Sequence, residues 1–222
     1  KVAENYSKKL GTEVSIGSAY VDGMWNVVVN DLKINDKHHE PLVSIHKMKA
    51  GLGVFSMRKR QLEIRRVSLY NAGFNLKKYA SDSSMNIQFL VDYFSGGTQD
   101  TSASNPWKLK LRSLTLHSSS FSYINEDDTS FHNGINYSGL GVSELEMDIK
   151  DIVSEADSIN AELKNISFKE KSGFILNEMS ALVHFDPHKI SLPGLKVITP
   201  NSDLDLDYEM QFNDFNAFNH FI

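Results

Sequence analysis

The chain has 222 residues, 41% of them hydrophobic and 23% charged, the make-up of an ordinary folded protein with length for one large β domain or two small ones. Lysine and arginine number 23 against 28 aspartates and glutamates, a net charge of −5, so no basic surplus draws in nucleic acid or an anionic membrane surface. Cysteine is absent, which excludes disulfides and thiolate chemistry, and no apolar run reaches the roughly 18 residues that a membrane-spanning helix needs.

Residues 1–10 place Val2, Tyr6 and Leu10 one helical turn apart, and Gly11 stands where a helix C-terminus wants a left-handed residue, so a short amphipathic helix opens the chain. Strands are expected at about 13–21, 24–36, 42–54 and 60–78. Their apolar residues fall two apart, then three, then two: Val14, Ile16, Ala19, Val21; Val27, Val29, Leu32, Ile34; Val43, Ile45, Met48, Ala50; Leu62, Ile64, Val67, Leu69. No helical face holds four such positions. A strand does, if a β-bulge absorbs the extra residue at the slip. Asn35-Asp36-Lys37-His38-His39 suits a turn, and Asn71–Gly73 suits another that sends residues 74–78 back as a short strand.

Residues 83–94 change period. Ile87, Phe89, Leu90, Tyr93 and Phe94 follow a helical stripe, with Ser83 or Ser84 as its cap. Residues 95–106 are small and polar, a flexible loop inserted within one architecture.

Trp107–Asp127 then repeats the two-three-two spacing at Leu109, Leu111, Leu114 and Leu116. Its slip falls on Arg112–Ser113, a pair poorly suited to a turn needing positive φ, which favours a bulged strand. The spacing returns at Leu140, Val142, Leu145, Met147; at Ala161, Leu163, Ile166, Phe168; at Phe174, Leu176, Met179, Ala181; and at Ile190, Leu192, Leu195, Val197. The starts are uneven, so this is one structural unit reused and not a fixed-period solenoid.

Glu126-Asp127-Asp128-Thr129, His132-Asn133-Gly134, Asp151–Asp157, Glu170–Gly173 and Asp186-Pro187-His188 read as turns or hairpin ends, and Pro193–Gly194 as a bulge or turn. The last strand alternates without a slip through Leu204, Leu206, Tyr208, Met210 and Phe212. After it Asp214 caps a helix carrying Phe215, Phe218 and Phe221. The expectation is one β-rich domain over 1–222, a fragment of a longer protein, in three parts: 1–94, the loop 95–106, and a continuing sheet over 107–222.

Little in this sequence carries catalysis. His184, Asp186 and His188 alternate in extended chain, about 7 Å apart in steps of two, too wide to converge on one small ion. Asp203, Asp205 and Asp207 resemble the start of a calcium loop but lack its glycine and distal glutamate, and read as the wet face of a strand. Neither a nucleophile elbow around the serines at 118–120 nor a phosphate-binding glycine motif is present. No enzyme, cofactor or metal site is expected.

The opening YSKKLGTEVSIGSAYVDGMWNVVVNDLKIND resembles the start of the AsmA-like proteins, in particular the TamB-type translocation and assembly module proteins of Bacteroidetes. The likeness continues through SLYNAGFNLKK, SSMNIQFLVDYF and WKLKLRSLTLHSSSFSYINED, and is most specific in LKNISFKEKSGFILNEMSALVHFD and ISLPGLKVITPNSDLDLDYEM. It covers nearly the whole chain in order. The resemblance implies a mainly-β fold, a long curved antiparallel sheet of bulged strands forming a taco-like β-groove, with a short N-terminal helix and another near 84–94. It implies a periplasmic segment, anchored to the inner membrane by an N-terminal region missing here. The implied role is non-enzymatic: phospholipid transport between the membranes, help in outer-membrane protein assembly, or both. Phospholipid acyl chains would be its ligands, and an outer-membrane barrel assembly partner would bind through regions outside this fragment.

If the groove exists, its wall candidates are Leu109, Leu111, Leu114, Leu116, Leu145, Met147, Ile149, Leu204, Leu206, Tyr208, Met210 and Phe212. In a closed sandwich the same residues form the core. A different reading makes the sheet a protein-binding scaffold whose open edge receives a client strand. A β-rich hydrolase or lectin-like domain is the third, and would need His184, His188 and an aspartate gathered in a polar pocket.

Overall fold

The computed structural model describes residues 2–23, 25–58, 61–80, 82–94, 108–128, 134–155 and 158–213. Helix α1 (Val2–Leu10) ends as expected at Gly11, where φ is 62°. The Ser7 hydroxyl accepts the Val14 N–H at 2.9 Å and so pins the helix to the first strand. The strands are β1 (Val14–Ser15), β2 (Ser18–Asp22), β3 (Asn26–Asn35), β4 (Pro41–Ser56), β5 (Gln61–Lys78), β6 (Lys108–Leu111) and β7 (Leu114–Asn125). After them come β8 (Gly139–Glu155), β9 (Ser158–Glu170), β10 (Ile175–Asp186), β11 (Lys189–Ile198) and β12 (Asp203–Gln211), while helix α2 (Gln88–Phe94) lies between β5 and β6.

All the strands join one open, curved sheet in the order β1-β3-β4-β5-β7-β8-β9-β10-β11-β12, with β2 also on β3 and β6 also on β5. From β2 to β5 and from β7 to β12, successive strands pair antiparallel. The exception is β5, which pairs parallel with β6 and β7. Residues 79–107 form the connection there, long enough to carry the chain back to the same end of the sheet.

The two-three-two spacing has a common structural origin. Val29 and Leu32 on β3 face Met48 and Ile45 on β4, so both strands slip together. On β5 and β7 the slip puts Asn71 (φ 48°) and Ser118 (φ 47°) in equivalent left-handed positions, and Asp31 (φ 53°) does the same on β3. The offset residues thus line up across neighbouring strands, which adds local twist and bend to the sheet.

Four expectations need correction. Residues 61–78 form one strand, with no turn at Asn71–Gly73 and no bulge there either: Asn71 takes positive φ while the pairing with β4 and β7 stays one-to-one across it, and β5 continues beside β7 to Lys78. The strand expected at 13–21 breaks into β1 and β2 at Ile16–Gly17, where the Gly17 N–H turns to the Asn30 carbonyl and a Cβ would meet that of Asp31 at 3.0 Å. The second helix starts at Gln88 and not near Ser84, because Asn86 is held as a strand partner, exchanging hydrogen bonds with the Lys77 backbone. At Arg112–Ser113 the strand is interrupted, yet both pieces follow β5: the Arg112 N–H reaches the Ile64 carbonyl and the Val67 N–H the Ser113 carbonyl. The loop at 95–106, Thr129, His132, Asn133 and the helix after Asp214 lie outside the described residues.

The chain exposes 14625 Å². A compact monomer of 25.0 kDa would expose roughly 10,000 Å². The best-packed part of the sheet centres on Ile45, Leu69, Ala72 and Leu116, all on one face.

Candidate functional site

Directly paired residues share a face of a sheet, so the register alone shows what each face carries. One row runs Ala19, Val29, Met48, Leu69, Leu116, Met147, Ile166, Met179, Val197, Leu204. It crosses ten strands without a polar residue. At about 4.8 Å per strand, nine steps give roughly 43 Å. Beside it, Val21, Val27, Ala50, Val67, Leu114, Ile149, Leu163 and Ala181 form a second row across eight strands. On the other side Val14, Ile34, Val43, Phe74, Phe121 and Val142 form a third, which stops at Glu170 on β9.

The expected wall residues fall on this face in two groups. Leu111, Leu114, Leu116, Leu145, Met147 and Ile149 lie on β6, β7 and β8. Leu116 is 5% exposed and the others of that group are half-buried. Leu109 pairs with Leu62, and its side chain lies outside the description. Leu204, Leu206, Tyr208 and Met210 pair with Val197, Leu195, Leu192 and Ile190 along β12, and Phe212 follows them. There Leu204 is 46% exposed and Tyr208 40%. The groups are four strands apart, roughly 19 Å.

Between and beside them stand residues the sequence-based list omitted: Ile166, Met179 and Val197, and toward the other edge Val29, Met48 and Leu69. Each sits in its strand's two-three-two pattern. What the sequence lacks is the register that lines the patterns into rows.

Among the described residues all strands belong to one sheet, so no second sheet lies over this face. The helices keep to one end, α1 against β1 and α2. That end is sealed by a buried carboxylate. Asp36, with 0% exposure, accepts the Tyr79 hydroxyl at 2.8 Å, Asn86 Nδ2 at 3.0 Å, and the backbone N–H groups of His38 and Glu40. Burial alone would push its pKa up; the four hydrogen bonds outweigh that and hold the carboxyl below its ordinary value.

Two polar residues interrupt the apolar face, and both are internally satisfied. Ser119, in line with Leu145, donates to the His117 carbonyl and accepts the Ala72 N–H. Glu170, 4% exposed, accepts the N–H groups of Ser172 at 2.7 Å and Gly141 at 3.2 Å. Burial works against its charge, and these bonds, with Lys171 nearby, still lower its pKa.

The histidine constellation does not converge. His184 faces Asn160 and Asp186, whereas His188 turns to the Asn213 carbonyl, and Asp186 closes its own turn by accepting the His188 N–H at 2.8 Å. No group of three ligand-type side chains forms among the described residues. Asp203, Asp205 and Asp207 are exposed on the other face of β12, where Asp207 accepts the Gly194 N–H at the bulge. No helix of the described residues is long and apolar enough to cross a membrane.

What remains is an apolar face with no second sheet over it among the described residues. It can take apolar chains from water at about 0.8 kcal/mol per CH₂, and its uniform lining gives them no fixed register. No protein family matches the chain, and no curated protein does.

Proposed function

We propose that the chain is a non-enzymatic segment of a cell-envelope lipid conduit, of the AsmA-like and TamB type that the sequence resembles. Its apolar face carries phospholipid acyl chains, in service of transport between the inner and outer membranes, of outer-membrane protein assembly, or of both. One observation supports this above all: an apolar row crosses ten strands on a face with no second sheet among the described residues. Its length, roughly 43 Å, exceeds twice the roughly 15 Å depth of one leaflet's hydrocarbon. In the proposed setting the segment lies in the periplasm, and acyl chains move across the strands while headgroups stay wet.

The test is mass spectrometry of lipid extracted from the folded protein purified without detergent. Phospholipid in near-stoichiometric amount, reduced at least fivefold by Met147→Lys with the β circular dichroism intact, supports the conduit. Lipid absent from both proteins, or equal in both, defeats it for this segment.

A second reading has an observation of its own. The outer edge of β12 has no strand neighbour among the described residues, which is what strand addition by a client requires. The four carboxylates of that strand, Asp203, Asp205, Asp207 and Glu209, tell against an apolar client. Crosslinking of an unfolded outer-membrane protein to β12 but not to β8 would favour this reading.

A further inference from the structure

The face opposite the apolar rows holds a local excess of positive charge that the net charge of −5 conceals. Gly51 on β4 pairs with Asn26 on one side and Arg66 on the other, out of phase with Ala50 and Val67 of the apolar face. Lys49, two residues away, points to the same side and pairs with Ser68. Arg65 sits beside Arg66 where the register shifts between Gly51 and Leu52. The side chain missing at Gly51 leaves a hollow of about 420 Å³ among Asn26, Lys49, Arg65, Arg66, Ser68 and Tyr70. A methyl group there would already stand 3.3 Å from Asn26 Oδ1.

Several cations elsewhere on the sheet are matched: Lys77 sits at Glu126, Lys150 at Asp148, Lys164 at Glu162, Lys169 at Glu144 and Arg112 at Glu63. Lys49, Arg65 and Arg66 make no ion pair among the described residues. Asp22, opposite Asn26, is the carboxylate that ends this row.

We infer that this hollow binds a phosphate-bearing anion. Two adjacent guanidinium groups offer paired donors that match phosphoryl oxygens, and the ammonium of Lys49 adds a third charge. The Ser68 hydroxyl and the Asn26 amide are the neutral donors at the wall. The bound group is either a free phosphate compound or the headgroup phosphate of a lipid. The site lies on the opposite face from the apolar rows and stands independently of the lipid-conduit reading.

Two probes separate the sources: inorganic phosphate, followed by titration calorimetry, and vesicle flotation with phosphatidylcholine alone or mixed with phosphatidylglycerol. The proteins are the full chain, Arg66→Gln, the hollow-filling Gly51→Val with Gly51→Ala as its milder form, and Lys8→Gln on α1 as a remote charge control, each checked by circular dichroism. Saturable phosphate binding, weakened about tenfold by Arg66→Gln and by filling Gly51 but unchanged by Lys8→Gln, supports the site with a soluble ligand. Flotation that needs phosphatidylglycerol and falls in the same variants supports it with a headgroup. Binding of neither probe overturns the inference. So does binding that survives filling of Gly51 and falls as much with Lys8→Gln as with Arg66→Gln, since that is diffuse attraction.

Discussion

Asp36 shows how much a single side chain can hold. It ties the β3–β4 turn to Tyr79 at the end of β5 and to Asn86 before α2, and its loss would leave two buried donors unpaired. Asp36→Ala should therefore cost about 3 kcal/mol in urea unfolding. The pH sign follows from the depressed pKa. The stabilisation is fully present above the unfolded-state value near 4 and is lost as pH falls through the lower folded value. Glu170, also depressed, adds to the same acid limb. Asp36→Asn should flatten the fall in stability below about pH 4, measured by denaturation across that range. From the sequence, Asp36 was legible only as one polar residue in a turn. Its partners lie 43 and 50 residues away, and nothing local announces them.

At the scale of elements, the slips in strand phase are legible in the sequence, and one of them reads as a turn. The two-three-two spacing requires an extra residue in each strand, and from β3 to β7 the structure meets it by placing the extra residues opposite one another, so the pairing stays one-to-one. Asn-Ala-Gly at 71–73 also has the composition of a turn, because a turn and a kinked strand ask the same thing locally: a residue that tolerates positive φ. Only β7, offset identically at Ser118, decides in favour of a strand that kinks and runs on. Asn71→Gly should keep or slightly raise stability, while Asn71→Ile should lower it by about 2 kcal/mol, read from the urea midpoint. The start of α2 was misplaced for a related reason. Serine caps were available, but a hydrogen-bonded Asn86 drew that segment toward the strands.

At the scale of the molecule, the rows are the emergent feature. Each strand's apolar positions could be read individually, and Leu116, Met147 and Leu204 were all assigned to one wall. That they continue through Ile166, Met179 and Val197 depends on registers set by turns and bulges, which strand patterns do not encode. A sheet open on this face also predicts a gradient of local stability. Amides of β4, β5 and β7, around the best-packed cluster, should exchange far more slowly than those of β12, whose apolar residues are half-exposed. Hydrogen exchange with mass spectrometry reads this directly. Equal protection in β12 and β5 would mean that the edge is covered in solution.

The parallel pairing of β5 with β6 and β7 also divides the chain kinetically. From β3 to β5, and again from β7 to β12, every pairing joins consecutive strands, so each half is a meander of low contact order that can zip hairpin by hairpin. The seam of β5 with β6 and β7 must wait for residues 79–107 to close a long loop before any of its bonds form. Folding should thus run as two fast local assemblies and one slower docking. Because Leu69 meets Leu116 across that seam, the last contact made also lies near the middle of the longest apolar row.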